Sequence, residues 1–123
     1  MAFNEQLAQR VRRALSGKRS VDEKRMFGGL AFMLDGHMCC GVEKDRLMVR
    51  VAPDRYEALL RRPHAHVMDF TGRRLRGFLF IEADGCKTDA LLKHWLDEAV
   101  SFVQSLPPKR GNPYRVPRGR VAG

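Results

Sequence analysis

Residues 26–51 read MFGGLAFMLDGHMCCGVEKDRLMVRV, and they decide the fold. Three apolar stretches, 26–34, 37–42 and 47–51, are separated by Asp35-Gly36 and by the polar tetrapeptide Glu43-Lys44-Asp45-Arg46. Asp-Gly between apolar runs is a strong hairpin signal, because a tight primed turn needs φ > 0 at both central residues. The second connection is short and polar enough for another reversal. Three consecutive strands in an antiparallel meander are therefore expected.

Outward from this meander the pattern changes period. Phe3, Leu7, Val11 and Ala14-Leu15 recur at steps of three and four, which predicts a helix with one buried stripe and Gly17 as its stop. Residues 20–24 read as a polar connection into the first strand. After the third strand, Ala52-Pro53-Asp54 breaks the run, with Asp54 as cap of a short helix that turns Tyr56, Leu59 and Leu60 inward and ends at Pro63. Val67-Met68-Asp69-Phe70 reads as extended and Thr71-Gly72 as a turn. Residues 75–83 resume a strand, with Phe78, Phe80 and Arg76 on one face and Leu79 and Ile81 on the other, closed by Asp84-Gly85. Thr88-Asp89 starts a long helix whose stripe is Leu92, Trp95-Leu96, Ala99, Val103 and Leu106, stopped by Pro107-Pro108. Strands clustered between helices predict an α+β domain in two layers, a mainly antiparallel sheet with helices on one face.

The chain has 123 residues and 44% apolar content. That suffices for one domain with a core that needs neither disulfides nor metal. No apolar run approaches the ~20 residues of a membrane span. The arginines of the N-terminal segment follow its apolar residues instead of preceding them, unlike a signal peptide. Three cysteines, two of them the adjacent Cys39 and Cys40, do not suit a disulfide framework. A reducing, cytoplasmic setting is expected. The formal charge is +9, and residues 107–123, PPKRGNPYRVPRGRVAG, hold Lys109, Arg110, Arg115, Arg118 and Arg120 without an acid. The reading divides the chain into a domain at 1–106 and a flexible basic tail at 107–123, since the tail cannot bury enough apolar surface to order itself.

Arg25-Met26-Phe27-Gly28-Gly29, Asp35-Gly36, Leu47-Met48-Val49-Arg50-Val51, Met68-Asp69-Phe70-Thr71-Gly72-Arg73, Gly77-Phe78 and the helix of Trp95 together resemble the TfoX N-terminal domain family, from about residue 20 to residue 108. The resemblance implies the order α-β-β-β-α-β-β-α, similar to the type III secretion chaperone topology. It marks Met26, Phe27, Gly28, Gly29, Asp69, Thr71, Gly72, Gly77 and Phe78 as the motif residues. Longer members are regulators of DNA-uptake competence, thought to act with a transcription activator, and carry a further C-terminal helical domain. The present sequence is expected to be a single-domain member without it. No catalytic set comes with the family.

The residues themselves suggest few sites. Gly28-Gly29 lacks the continuation of a phosphate-binding loop, so a bulge or close backbone approach is the better reading. Strict alternation would put His37 and Cys39 on one sheet face and Cys40 on the other, leaving Cys86, His64 or His66 to complete any metal set. Buried, unbridged thiols without metal are expected instead. His64 and His66 follow a proline and read as solvated. Asp54, Glu57, Asp69, Glu82, Asp84 and Asp89 offer no convincing acid–base pair. Arg73, Arg74 and Arg76, with Arg50 on a neighbouring strand, form a basic cluster; either Arg50 or Arg76 pairs with Asp69, or the cluster lines an anion-binding surface. The expected function is a non-enzymatic regulatory or protein-interaction module, a homodimer without cofactor. Nucleic-acid association through the tail is the alternative, and an enzyme the third.

Overall fold

The computed structural model describes residues 3–107 apart from Arg19, Phe27, Thr71 and Gly72, and only the backbone of Phe70, Arg73 and Arg74. Helix α1 (Glu5–Ala14) leads into strands β1 (Val21–Met26), β2 (Gly29–Leu34), β3 (His37–Glu43) and β4 (Arg46–Arg50). Helix α2 (Tyr56–Leu60), strands β5 (Ala65–Phe70) and β6 (Arg73–Ile81), a 3₁₀ turn (Ala83–Cys86) and helix α3 (Asp89–Gln104) complete the order. All pairings are antiparallel, and the six strands lie in the order β1-β2-β3-β4-β6-β5. The α+β reading stands, with one strand more than expected.

That strand is β1. Residues 20–24, read as a connection, begin a hairpin in which Val21 pairs with Leu34 and Met26 with Gly29. Asp22, Glu23, Lys24 and Arg25 are exposed along it, as suits an edge strand whose charges discourage pairing with another chain. The Met26–Gly29 segment is thus a reversal, with Gly28 at φ +75°, instead of the start of a long strand. Gly29 serves a different need: a Cβ there would lie 2.2 Å from the carbonyl oxygen of Val42 on β3. The close-approach reading holds for Gly29 and not for Gly28, where the turn's positive φ is the only demand.

The Asp35-Gly36 reversal has φ of 53° and 84°, with Leu34 opposite His37 as its flanking pair. Lys44, at φ 54°, turns the chain between Glu43 and Arg46. Asn4 caps α1 by accepting from Leu7 N at 3.0 Å, and Thr88 caps α3 by accepting from Leu91 N at 3.1 Å. Asp54 does not cap α2: the N-cap position is Arg55, without a side-chain bond.

The helices share one face of the sheet. Leu7, Val11 and Leu15 from the first helix, Tyr56 and Leu59 from the second, and Leu92, Trp95, Leu96, Ala99 and Val103 from the third are buried with Leu30, Phe32, Leu34, Val42, Leu47, Val49, Leu79 and Ile81. On the opposite face Met48, Met68 and Phe80 form a small second cluster, flanked by Met38, Leu75 and Phe78. Among the described residues no helix contributes to it. Met48 reaches across Gly41, whose missing side chain makes the room: a Cβ there would meet Met48 Cε at 2.6 Å.

Candidate docking groove

The sheet alternation expected for the cysteines fails at one place. The β2–β3 register shifts between Phe32 and Met33, leaving Cys39 as the extra residue of a bulge. Cys39 and Cys40 consequently both join the helix-side core, fully buried, with Cys86 in the same cluster. All three are free thiols. A hydrogen bond with the Cys39 thiol, then burial, holds the Cys40 thiol far above its ordinary range, and burial raises that of Cys86. These thiols are inert core atoms. Among the described residues no three His, Cys, Asp or Glu side chains are arranged to hold a metal. His37 uses Nε2 to meet the carbonyl oxygen of Pro107 at 2.7 Å.

His64 and His66 are exposed but not idle. His66 Nε2 meets one oxygen of Glu82, and His64 Nδ1 lies 3.6 Å from the other. The imidazole of His66, and secondarily that of His64, holds the Glu82 carboxyl below its usual range.

The basic residues inside the fold are mostly committed to rings. Arg46 stacks 3.7 Å from the centroid of Phe80, Arg25 5.6 Å from Phe3 and Arg62 5.6 Å from Trp95. Arg50 lies over both Phe78 at 5.8 Å and Phe102 at 5.3 Å, and Arg76 over Tyr56 at 6.0 Å. The pairing of Arg50 or Arg76 with Asp69 is therefore corrected: among the described residues their guanidiniums go to aromatic faces. Arg76 also leaves the face of Phe78 and Phe80, because Gly77 at φ +87° sits in an irregular stretch where the β5–β6 register shifts. Asp69 is exposed, with Arg74 as its strand partner, and Phe70 pairs with Arg73. Arg50 and Phe78 are direct neighbours across β4 and β6. Phe27, Thr71, Gly72, Lys109, Arg110, Arg115, Arg118 and Arg120 lie outside the described residues, and so do the side chains of Arg73 and Arg74.

A concave feature with uncommitted charge lies elsewhere, between α1 and α3. Arg10, Arg13, Ala14, Leu15 and Lys18 form one wall, and Asp89, Leu92, Lys93, Leu96, Asp97 and Val100 the other, around about 370 Å³. Helical spacing produces this lining: Leu7, Val11 and Leu15 point to the sheet, which places Arg10, Arg13 and Ala14 along the flank that looks toward α3. Arg10 reaches Asp89 at 3.4 Å, and Lys93 pairs with Asp97 at 2.7 Å on its own helix. Arg12, on the far flank, grips Glu23 of β1 through two bonds of 2.5 and 2.8 Å, which lowers the Glu23 carboxyl and raises the guanidinium. Sequence reasoning missed this groove. The stripe of α1 was legible, but its lateral distance from α3 was not.

A six-stranded antiparallel sheet with three helices on one face, its first two strands joined by the Met26–Gly29 reversal, defines a two-layer α+β module. Residues 13–103 match the TfoX N-terminal domain, and the chain belongs to that family. No curated protein and no solved structure matches it.

Proposed function

We propose that the chain is a non-enzymatic regulatory module that acts by binding another protein, in the cytoplasm and as a homodimer, in a role related to competence and its transcriptional control. Membership of the TfoX N-terminal domain family supports the regulatory part. The observation that carries the binding part is the α1–α3 groove, apolar at its base and cationic along the α1 wall. A pull-down with the tagged protein from its own cells, with and without nuclease, tests the reading. A partner retained after nuclease treatment supports it, and loss of every partner refutes it.

A second reading, nucleic-acid association, is favoured by the five cations of residues 107–123 within a formal charge of +9. In this reading Lys109, Arg110, Arg115, Arg118 and Arg120 supply most of the phosphate contacts, with Arg50, Arg73, Arg74 and Arg76 as the candidates inside the fold. Binding of a generic DNA duplex would then fall steeply with salt. A chain ending after Pro107 would lose most of that dependence while keeping its melting temperature. In either reading the chain needs no cofactor or metal.

A further inference from the structure

We infer that the α1–α3 groove docks an acidic amphipathic helix of a protein partner; this rests on the protein-binding reading above and names the partner's chemistry. The floor is apolar and closed: Leu15, Leu92 and Leu96 are each 3% exposed and Val100 7%, so only the tips of their side chains reach the surface. Ala14 is exposed between them and the rim. Its single methyl group leaves the recess, which at about 370 Å³ has the size of a ligand site and takes a few aliphatic side chains.

The rim selects the sign of the partner. Asp89 and Asp97 are taken up by Arg10 and Lys93. Arg13 and Lys18 face the same recess with no acid paired to them among the described residues. The uncompensated charge is therefore positive and lies on the α1 side. A helix laid in the groove parallel to the sheet would bury aliphatic anchors at i, i+3, i+4 and i+7 against Leu15, Leu92, Leu96 and Val100, and turn carboxylates toward Arg13 and Lys18. Duplex nucleic acid offers no aliphatic stripe for the floor. A second copy docked through this groove would bring the same cations against Arg13 and Lys18, which like-charge repulsion opposes.

The test uses the full chain and three fluorescent 16-residue probe peptides, read by anisotropy. One has Leu at the anchor positions and Glu elsewhere, one has Leu and Lys, and one is the Leu/Glu composition scrambled. The Leu/Glu helix is expected to bind saturably and at least about tenfold more tightly than the other two. Arg13→Glu/Lys18→Glu should reverse the preference, so that the Leu/Lys peptide binds best. Ala14→Trp, which fills the recess from an exposed position, should abolish binding of all three. Ala14→Trp should melt with the wild type, and the double variant slightly lower, because Arg13 stands in the last turn of α1. Absence of Leu/Glu binding, or equal binding by wild type and both variants, overturns the assignment. So does self-association or duplex DNA binding that Ala14→Trp alone removes, since either gives the groove another occupant. If the assignment fails while Ala14→Trp still retains a nuclease-resistant partner from cells, partner binding stands and uses a different surface. If no partner is retained by the wild type either, the protein-binding reading itself has failed.

Discussion

Gly28 and Gly29 are adjacent, yet the structure asks different things of them, and substitution separates the two demands. At Gly29 the obstacle is space. A Cβ would stand 2.2 Å from Val42 O, 3.0 Å from Glu43 Cα and 3.1 Å from Val42 C, so backbone of β3 must retreat by roughly 1 Å for an ordinary contact. These are ladder atoms in a strand between two neighbours, unable to swing aside like a side-chain tip. Gly29→Ala should therefore cost at least the upper part of the overpacking range, about 3 kcal/mol. That lowers the melting temperature of a domain this size by about 12–20 °C. At Gly28 the obstacle is conformation alone: φ is +75° and nothing lies within 4 Å of a built Cβ. Gly28→Ala should cost about 1 kcal/mol, and Gly28→Asn less, since Asn tolerates the left-handed region. Gly29→Asn, by contrast, should be at least as damaging as Gly29→Ala. Urea titrations followed by the fluorescence of Trp95, which is 2% exposed, give all four values if the m-value is constant. A Gly29→Ala protein within about 0.5 kcal/mol of wild type would refute the close-approach argument.

Gly36→Val should also unfold the domain readily, because a β-branched residue resists the φ of 84° that the reversal needs; circular dichroism melts check it, and a neutral outcome would count against the turn. Thiol titration should find no rapidly reacting cysteine in the folded protein and all three in denaturant without reductant, since Cys39, Cys40 and Cys86 are buried and unbridged. The depressed Glu82 carboxyl contributes stability above the ordinary glutamate value near 4.5 and loses it as pH falls through its lower folded value. Glu82→Gln should accordingly lower stability in the neutral region and converge with the wild type at low pH, where Glu82 is protonated, so that the acid limb of the pH–stability curve flattens, and His66→Ala should move the Glu82 titration upward in an NMR experiment.

Local signals were legible wherever one residue sufficed to state a backbone need. Asp35-Gly36 fixed its reversal, Thr88 its helix start, and the stripes of α1 and α3 their buried faces. Edge strand β1 was illegible because its residues VDEKRM carry charge where an interior strand would carry apolar alternation. The bulge at Cys39 was illegible because alternation counts every residue once, and an inserted residue flips the face of each later residue in the strand. Asp54 looked like a cap by type, but the helix begins one residue too late for its side chain to serve. The groove depends on how far apart two helices settle on the sheet, a quantity that no local pattern contains.

The arginines show why net charge misleads as a guide to a site. Within the described fold, Arg12, Arg25, Arg46, Arg50, Arg62 and Arg76 all lie over aromatic rings. There the guanidinium plane covers a ring at the margin of the apolar core, and the edges of Arg12 and Arg46 bond the carboxylates of Glu23 and Glu43. Replacing one of them by Lys keeps the charge but loses the planar stack, so such a change should cost stability without altering any electrostatic attraction for a polyanion. Arg13 and Lys18 behave oppositely. They touch no ring and no acid among the described residues, so their removal should change stability by no more than the small helix-dipole contribution of Arg13 and should mainly affect the binding of a partner at the groove. Arg46→Lys and Arg13→Gln therefore make a decisive pair. The first should melt lower, with Phe80 left partly uncovered, and bind an acidic probe as before. The second should melt close to the wild type and bind that probe several-fold less tightly. The opposite outcome, a stable Arg46→Lys with weakened binding, would mean that the ring-stacked arginines are the anion-binding surface after all.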